Sequence, residues 1–355
     1  MRIATLLLLL AALLPGQAAQ ADGYPEVRPG TPVQLPADAG SHPAFRTEWW
    51  YVTGWLSMPD GAPLGFQVTF FRSRPTLATG NPSRFATGQV LIAHAAISDP
   101  ARARLWHDQR IARAGFGIAE AAVGRTDVAI RDWSLSTEGA RLHATVPADG
   151  FGLDLAFEPT SVVLNGRDGY SQKGPATGSA SYYYSLPGLA VRGTVRRAGV
   201  PVAVTGRAWL DHEWSSAPLD AESVGWDWVG LNLDDGGALM AFRIRDPRGA
   251  VRWAGGTRRW PDGRVEALAP AAVSFTPGRR WRSPRTAIEY PVEWRLGAGG
   301  LALELVPLMD DQESDSRLST GAVYWEGAVT AKAGARILGR GYLELTGYGD
   351  PLRLR

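Results

Sequence analysis

The sequence predicts an all-β protein in which two antiparallel sheets each close into a barrel. The first observation is the spacing of Gly-containing turns, which separate short segments rich in Val, Leu, Thr, Trp and Phe and lie at 59–61, 149–150, 235–236, 261–263 and 299–300. The second is an alternation of apolar and polar residues with period 2, at 65–70 and at 342–346. The third is an internal repeat.

The amino terminus is predicted to be a signal peptide at residues 1–21. Arg2 supplies the positive charge, residues 3–14 form an apolar run, and Ala19 and Ala21 offer a small-residue cleavage site. The run is too short to span a bilayer, so we expect a periplasmic or secreted protein without a membrane anchor. The absence of cysteine excludes lipoprotein attachment, disulfides and thiolate metal sites.

The composition argues against nucleic-acid binding and draws attention to tryptophan. The chain has 355 residues and a formal net charge of +2, and only Lys173 and Lys332 are lysines. No basic block with interleaved aromatic residues occurs, so no nucleic-acid partner is expected. Tryptophan is abundant, at 14 residues. It fills the cores of β domains, lines an apolar ligand cavity, or does both.

An internal repeat divides the chain into two β domains. Five residues recur 176 positions later, and they are Trp50 and Trp226, Gly54 and Gly230, Phe66 and Phe242, Val68 and Ile244, and Arg72 and Arg248. We therefore predict one domain at 22–216 and a second at 217–355, with a linker at 215–220. Small antiparallel barrels often enclose one apolar ligand, and a domain junction is a common place for a binding site.

Two clusters combine aromatic and ionisable residues, and the first is EWWY at 48–51. In a strand, Glu48 and Trp50 share one face, while Trp49 and Tyr51 share the other.

The second cluster is WLDHEW at 209–214. A strand would place Trp209, Asp211 and Glu213 on one face and His212 and Trp214 on the other. Three successive ionisable residues within an aromatic strand are costly to bury unless they are paired. Their position near the predicted junction indicates a functional site. The alternative is a structural polar network that ties the barrels together.

Other ionisable residues give less specific indications. His94 lies in an apolar strand, where a hydrogen-bonded core histidine is the simplest interpretation. The residues available for metal-dependent hydrolysis are His42, Glu48, His94, Asp211 and His212. Their spacing matches no metal-binding motif, so we predict neither a metal nor a cofactor. The sequence contains no motif of serine hydrolases, dinucleotide binding or phosphate binding.

Five segments of the chain form a set of motifs. They are HP at 42–43 with EWWYVTG at 48–54, GFQVTFFR at 65–72, WLDHEW at 209–214, YWEG at 324–327 and GYLELTGY at 341–348. Together they resemble the carotenoid 1,2-hydratase/AttH-like family, and the last three resemble its exported branch of predicted secreted hydrolases. The resemblance runs from about residue 40 to the end. It implies two lipocalin-like (calycin-type) antiparallel barrels and an apolar pocket near the domain junction.

The same resemblance implies a chemistry, with one departure. Members of this family hydrate the terminal double bond of an acyclic carotenoid without a cofactor. Where these hydratases have His-x-Trp followed by Tyr-x-Asp, this sequence has Tyr182-x-Tyr184 and Trp209-x-Asp211. Only the aspartate is retained. The resemblance thus implies an aromatic pocket without the full residue pattern of the carotenoid hydratases.

The predicted function is that of an exported protein that binds a lipid, isoprenoid or other apolar small molecule. The residues expected to contact the ligand are Trp50, Tyr182, Trp209, Trp214, Trp226, Trp228 and His94. The alternative is a cofactor-independent hydratase, lyase or hydrolase. Its catalytic residues would be Asp211 as acid/base, with His212, Tyr184 and Glu48. An envelope or transporter-associated partner is left open.

Overall fold

The computed structural model describes residues 23–75, 81, 83 and 85–352. The predicted signal peptide lies outside the described residues. Within them the chain forms strands and three short 3-10 helices, at Ala37–Ala39, Pro100–Arg102 and Pro270–Ala272. No described helix is long and apolar enough to cross a membrane. The predicted all-β class is confirmed.

The first large sheet contains thirteen antiparallel strands. They are β1 (Thr47–Ser57), β2 (Pro63–Ser73), β3 (Val90–Asp99), β4 (Arg104–Arg113), β5 (Ala119–Ala121), β6 (Asp127–Ile130), β7 (Trp133–Glu138), β8 (Arg141–Val146), β9 (Phe151–Glu158), β10 (Val163–Leu164), β11 (Tyr170–Gln172), β12 (Ala180–Arg197) and β13 (Val200–Ser215). This sheet curls into a nearly closed barrel.

The second large sheet contains ten antiparallel strands, and two further strands form a small separate sheet. The ten are β14 (Gly225–Leu233), β15 (Ala238–Arg245), β16 (Val251–Arg259), β17 (Val265–Leu268), β18 (Val273–Pro277), β21 (Trp294–Ala298), β22 (Leu301–Pro307), β23 (Glu313–Ser316), β24 (Ala322–Ala333) and β25 (Arg336–Leu345). The separate pair is β19 (Arg280–Arg282) and β20 (Glu289–Pro291).

The two large sheets share a topology. In the first, the order β4-β3-β2-β1 continues into β13 and β12, and in the second, the order β17-β16-β15-β14 continues into β25 and β24. In each sheet a four-stranded meander runs outward from the first strand. The other edge of that strand pairs with the last strand of the same sheet.

The predicted repeat is found as two hairpins, but its residue pairs are not structurally equivalent. Gly54 lies opposite Phe66 in the β1–β2 hairpin, whereas Gly230 lies opposite Met240 in the β14–β15 hairpin, because the second hairpin turns earlier. Moreover, Trp50 belongs to the core of the first barrel. Trp226, its partner in the repeat, lines the space between the sheets. The 176-residue offset therefore matches a residue that faces the core of the first barrel with one that faces the space between the sheets.

Buried apolar residues form three clusters. One fills the first barrel and one packs against the second sheet. The third lies between the sheets and is mostly aromatic, and its buried members are Tyr51, Trp55, Tyr183, Trp209, Trp228, Ala238, Met240, Phe242, Ile244, Ala328 and Tyr342. We call the surface formed by this third cluster the junction.

Candidate functional site

A cavity of about 550 Å³ lies at the junction and is lined by residues of both large sheets. Its aromatic lining consists of Trp49, Tyr51, Phe71, Tyr183, Trp226, Trp228, Phe242 and Tyr324. Its acidic lining consists of Asp211, Glu213, Glu326 and Glu344. The predicted linker contributes Pro218 and Leu219. The size suits a small molecule, and most small-molecule sites are likewise apolar with a few polar groups.

Asp211 is buried on β13 and accepts three hydrogen bonds. Its Oδ1 accepts from Ser185 Oγ at 2.5 Å and from Trp209 Nε1 at 2.6 Å. Its Oδ2 accepts from the Tyr183 hydroxyl at 2.6 Å. Burial raises the pKa of Asp211 to about 7, although all three donors favour the charged form. A carboxyl group poised near neutral pH can both give and take a proton.

Glu213 lies on the same face of β13 and is paired with a cation. Lys173 Nζ lies 3.0 Å from Glu213 Oε1, which also accepts a hydrogen bond from Ser181 Oγ. The Lys173 ammonium lies 4.7 Å from the ring centroid of Tyr183 and 4.2 Å from that of Phe242. The charge of Glu213 is therefore compensated by a buried lysine held between two aromatic rings.

Tyr183 connects Asp211 of the first sheet to Trp228 of the second sheet. Its hydroxyl donates to Asp211 and accepts from Trp228 Nε1 at 3.0 Å. Burial raises the pKa of Tyr183 well above its ordinary value, so the phenol stays protonated. Trp228 also packs edge-on against Tyr51, with ring centroids 5.5 Å apart. These contacts hold the aromatic walls of the cavity in place.

The second sheet contributes a pair of carboxyl groups. Glu326 of β24 and Glu344 of β25 are directly opposite each other in the strand register, and both line the cavity. Burial raises the pKa of Glu344 to about 7. Burial also raises the pKa of Glu326 well above its ordinary value, and the negative charge of Glu344 raises it further.

His94 of β3 joins the two sheets at the cavity wall. Its Nδ1 is hydrogen-bonded to the Tyr324 hydroxyl, and its Nε2 lies 2.8 Å from Ser319 Oγ. Burial lowers the pKa of His94 to about 3, so the ring is neutral at physiological pH. The residue is both a hydrogen-bonded buried histidine and part of the cavity lining.

Comparison with known proteins places this architecture in a family. The model of the AttH-like family matches residues 26–348. The chain belongs to the AttH-like family. The crystal structure of an AttH from Nitrosomonas europaea is similar, with a TM-score of 0.86 and 49% identity, and the match covers 92% of this chain and 100% of that one. A search of the curated proteins found no match.

A more distant structural neighbour shares the fold alone. The crystal structure of kievitone hydratase from Nectria haematococca matches with a TM-score of 0.70 and 16% identity, covering 92% of this chain and 96% of that one. Together with the nearly closed first barrel, this likeness confirms the predicted lipocalin-like fold.

In this AttH-like protein, four of the predicted site residues line the cavity, namely Asp211, Trp226, Trp228 and His94. Trp209 belongs to the junction, and its indole N–H donates to Asp211. The roles of these residues in binding or catalysis stay predictions.

The other predicted site residues lie on the opposite faces of their strands and do not line the cavity. The predicted ligand contacts among them are Trp50, Tyr182 and Trp214, and the predicted catalytic residues are Glu48, Tyr184 and His212. This placement corrects the expectation that they share a site with Asp211. The physical reason is that successive side chains of a strand point to opposite faces, so Asp211 and His212 cannot enter the same cavity.

Glu48 and two histidines form a separate network within the first barrel. Glu48 Oε1 lies 2.7 Å from His42 Nδ1 and 3.0 Å from His212 Nε2, and Oε2 accepts from Arg72 Nε at 2.7 Å. Burial would raise the pKa of Glu48, but hydrogen bonds from the histidines hold it well below its usual range. The ligand atoms lie within 4.8 Å of one another, as in a metal site. Because Arg72 already compensates the carboxylate, a structural polar network is the better interpretation.

Sequence reasoning missed several residues that line the cavity. They are Trp49, Tyr51, Lys173, Tyr183, Glu326 and Glu344. The strand register places Tyr51 opposite Asp211 and Trp49 opposite Glu213. Strand alternation starting from Asp211 would therefore have selected Trp49 and Tyr51 in place of Glu48 and Trp50.

Proposed function

We propose that this AttH-like protein binds a small molecule with an apolar body in the junction cavity. The observation that carries the proposal is the lining of a cavity of about 550 Å³ by aromatic side chains from two sheets. Aromatic rings offer a large contact area, and a cavity of this kind favours a lipid-like or isoprenoid-like ligand. The apolar run and cleavage motif at 1–21 support export as part of the same proposal.

Native mass spectrometry of protein purified from the exported fraction, followed by solvent extraction, tests ligand binding directly. We expect a bound small molecule, and we expect Trp226→Leu to lose most of it. Trp260→Leu is the matched control, since Trp260 lies outside the cavity lining. If both variants retain the molecule equally, the cavity is not where it binds. An intact mass that begins after Ala21 would support export, and an unprocessed exported chain would contradict it.

A second candidate function is acid–base catalysis, and the observation that favours it is the environment of Asp211. A carboxyl group whose pKa is about 7 faces an apolar cavity and has a hydrogen-bonded phenol beside it. In a hydration, the Asp211 carboxyl would give its proton to an alkene carbon, forming a C–H bond as the π bond breaks. Water would then bond to the resulting carbocation and return one proton to the carboxylate.

The aromatic walls would assist such a reaction without accounting for it. A cation facing an indole or phenol ring gains about 2 kcal/mol when desolvated. That energy corresponds to a rate factor of about 30, so most of the acceleration must come from the acid.

The catalytic candidate is tested with the extracted ligand as substrate. We expect Asp211→Asn to keep the ligand affinity and to abolish the conversion, which is followed as the gain or loss of one water by mass spectrometry. Asp262→Asn, an exposed substitution, is the control. If the wild-type protein converts neither the extracted ligand nor its dehydrated form, the protein is a carrier.

A further inference from the structure

The carboxyl pair of Glu326 and Glu344 lacks a compensating charge. The two residues face each other across adjacent strands and line the cavity. Glu326 is 3% exposed, and its Oε2 makes no hydrogen bond. The Tyr51 hydroxyl, which lines the same cavity, is close enough to lower the pKa of Glu326 but makes no well-formed hydrogen bond. In the described part of the chain, no arginine, lysine or histidine forms an ion pair with either glutamate.

Such a pair of acids is unfavourable unless a cation compensates it. Like charges directly opposite on neighbouring strands destabilise a sheet, and burial adds a desolvation cost. Burial raises the pKa of Glu344 to about 7, with further increases from the charges of Glu213 and Asp211, while Lys173 acts in the opposite direction. The two buried cations of the lining are already paired elsewhere, Lys173 with Glu213 and Arg72 with Glu48.

The surroundings of Lys173, elsewhere in the same cavity, show how the cavity stabilises a cation. There Lys173 lies between the rings of Tyr183 and Phe242 and forms an ion pair with Glu213. The carboxyl pair has aromatic neighbours as well, because Trp228 is opposite Glu344 in the strand register and the Trp226 indole lowers the pKa of Glu344 by hydrogen bonding. Carboxylates and aromatic faces are thus present on the second wall, and no cationic side chain of the described residues forms an ion pair with those carboxylates.

We propose that the ligand of the cavity is an organic cation, a protonated amine or quaternary ammonium on an apolar body, whose charge lies between Glu326, Glu344 and the ring of Trp228. This inference rests on the proposed binding function and specifies its ligand class. A cation at this position is attracted by the carboxylates and by the ring faces together. It also removes the repulsion within the pair.

The test uses two probes of the same shape and different charge. Decanoylcholine carries a quaternary ammonium, and 3,3-dimethylbutyl decanoate replaces its nitrogen by carbon. Both are titrated below their aggregation limits, with binding followed by calorimetry and by tryptophan fluorescence. We expect wild-type protein to bind the cation at least about tenfold more tightly than the neutral ester, a typical effect of a buried charge partner.

Variants of Glu326 and Glu344 test whether these two residues cause the preference for the cationic ester. The double variant E326Q/E344Q is expected to bring the ratio of the two affinities close to one, while E304Q, at an exposed position of β22, leaves the ratio unchanged. In the absence of ligand, E326Q/E344Q should raise the melting temperature, because it removes both of the opposed acids. That increase shows that the variant folds, so lost cation binding is not a folding defect.

The outcomes separate this inference from the binding proposal. Equal affinity of the wild type for both esters, or a preference that survives in the double variant, overturns the cationic ligand and leaves the apolar cavity intact. That result would favour a proton shared by the pair and donated to a neutral oxygen of the ligand. If neither ester binds, the cationic ligand is overturned, and the absence of any extracted ligand would overturn the binding proposal as well.

Discussion

At the scale of single residues, the protonation of Asp211 is set by two opposing effects. Three donors, from Ser185, Trp209 and Tyr183, stabilise its negative charge. Burial penalises the same charge and prevails, since the pKa rises from 3.8 to about 7. Hydrogen bonds keep the carboxyl group oriented, while desolvation makes it available as an acid. A surface aspartate has neither property.

This raised pKa predicts an unusual pH dependence of stability. Between about pH 4 and pH 7 the folded protein binds more protons at Asp211 than the unfolded chain does, so the contribution of this group to the free energy of unfolding falls as the pH rises. Glu344 contributes with the same sign. The slope is on the order of 1 kcal/mol per pH unit for each group. The lowered pKa values of His94, His107 and His212 act with the opposite sign below about pH 6.5. Urea unfolding between about pH 5 and pH 7.5 therefore measures the carboxyl contribution as the difference in slope between the wild type and its variants.

Substitutions identify the groups responsible for that slope. Relative to the wild type, Asp211→Asn and Glu344→Gln should each make the slope more positive by about 1 kcal/mol per pH unit between about pH 5 and pH 7, and the two together by about twice as much. Asp262→Asn should leave it unchanged. An unchanged slope in the double variant would show that both carboxyl groups are ionised in the folded protein throughout this range.

At the scale of elements, β1, β12 and β13 are shared between two environments. One face of each strand packs into the first barrel, and the other lines the junction. Tyr182 and Tyr184 point into the barrel, while Tyr183 between them reaches the cavity. The polar network around Glu48 and the acid Asp211 can therefore be close in sequence and separate in space.

Strand β2 approaches the second sheet so closely that a glycine is needed. A Cβ atom at Gly65 would lie 2.7 Å from the Cβ of Ala328 and 3.1 Å from that of Ser98. We expect Gly65→Ala to push β2 away from β24 and to lower the free energy of unfolding by about 1–3 kcal/mol. Gly88→Ala is the control, because nothing lies within 4 Å of its added Cβ. Equal stability of the two variants in chemical denaturation would contradict the close packing of this contact.

At the scale of the whole molecule, the two sheets are joined by hydrogen bonds as well as by apolar contact. Trp55 Nε1 donates to the carbonyl oxygen of Gly341 at 3.0 Å, and the Gly166 amide donates to Thr257 Oγ1 at 3.0 Å. The aromatic surface of the junction would be exposed if either half unfolded alone. The two halves therefore stabilise each other.

This coupling predicts a single thermal unfolding transition. The apolar area of the junction penalises any state in which one half is folded and the other is not. Differential scanning calorimetry should give one peak whose calorimetric and van't Hoff enthalpies agree. Two resolved peaks would show that the domains predicted at 22–216 and 217–355 unfold independently.

Much of this molecule could be predicted from the sequence because the deciding features are local. Turn residues and strand periodicity gave the all-β class, and the recurring hairpin indicated two similar sheets. The alternation of side chains along a strand also correctly placed Asp211 and His212 on opposite faces of β13. The internal repeat was less exact, since it matched Trp50 of one barrel core with Trp226 of the cavity.

Only the tertiary structure decided which face of each central strand meets the cavity. Most residues from 209 to 215 on β13 and from 180 to 185 on β12 are buried on both faces, so hydrophobicity does not distinguish the barrel interior from the junction. The glutamates of β24 and β25 are distant in sequence from Asp211, and sheet packing alone places them opposite it. A strand pattern determines which side chains share a face, and the packing of one sheet on the other determines what that face contacts.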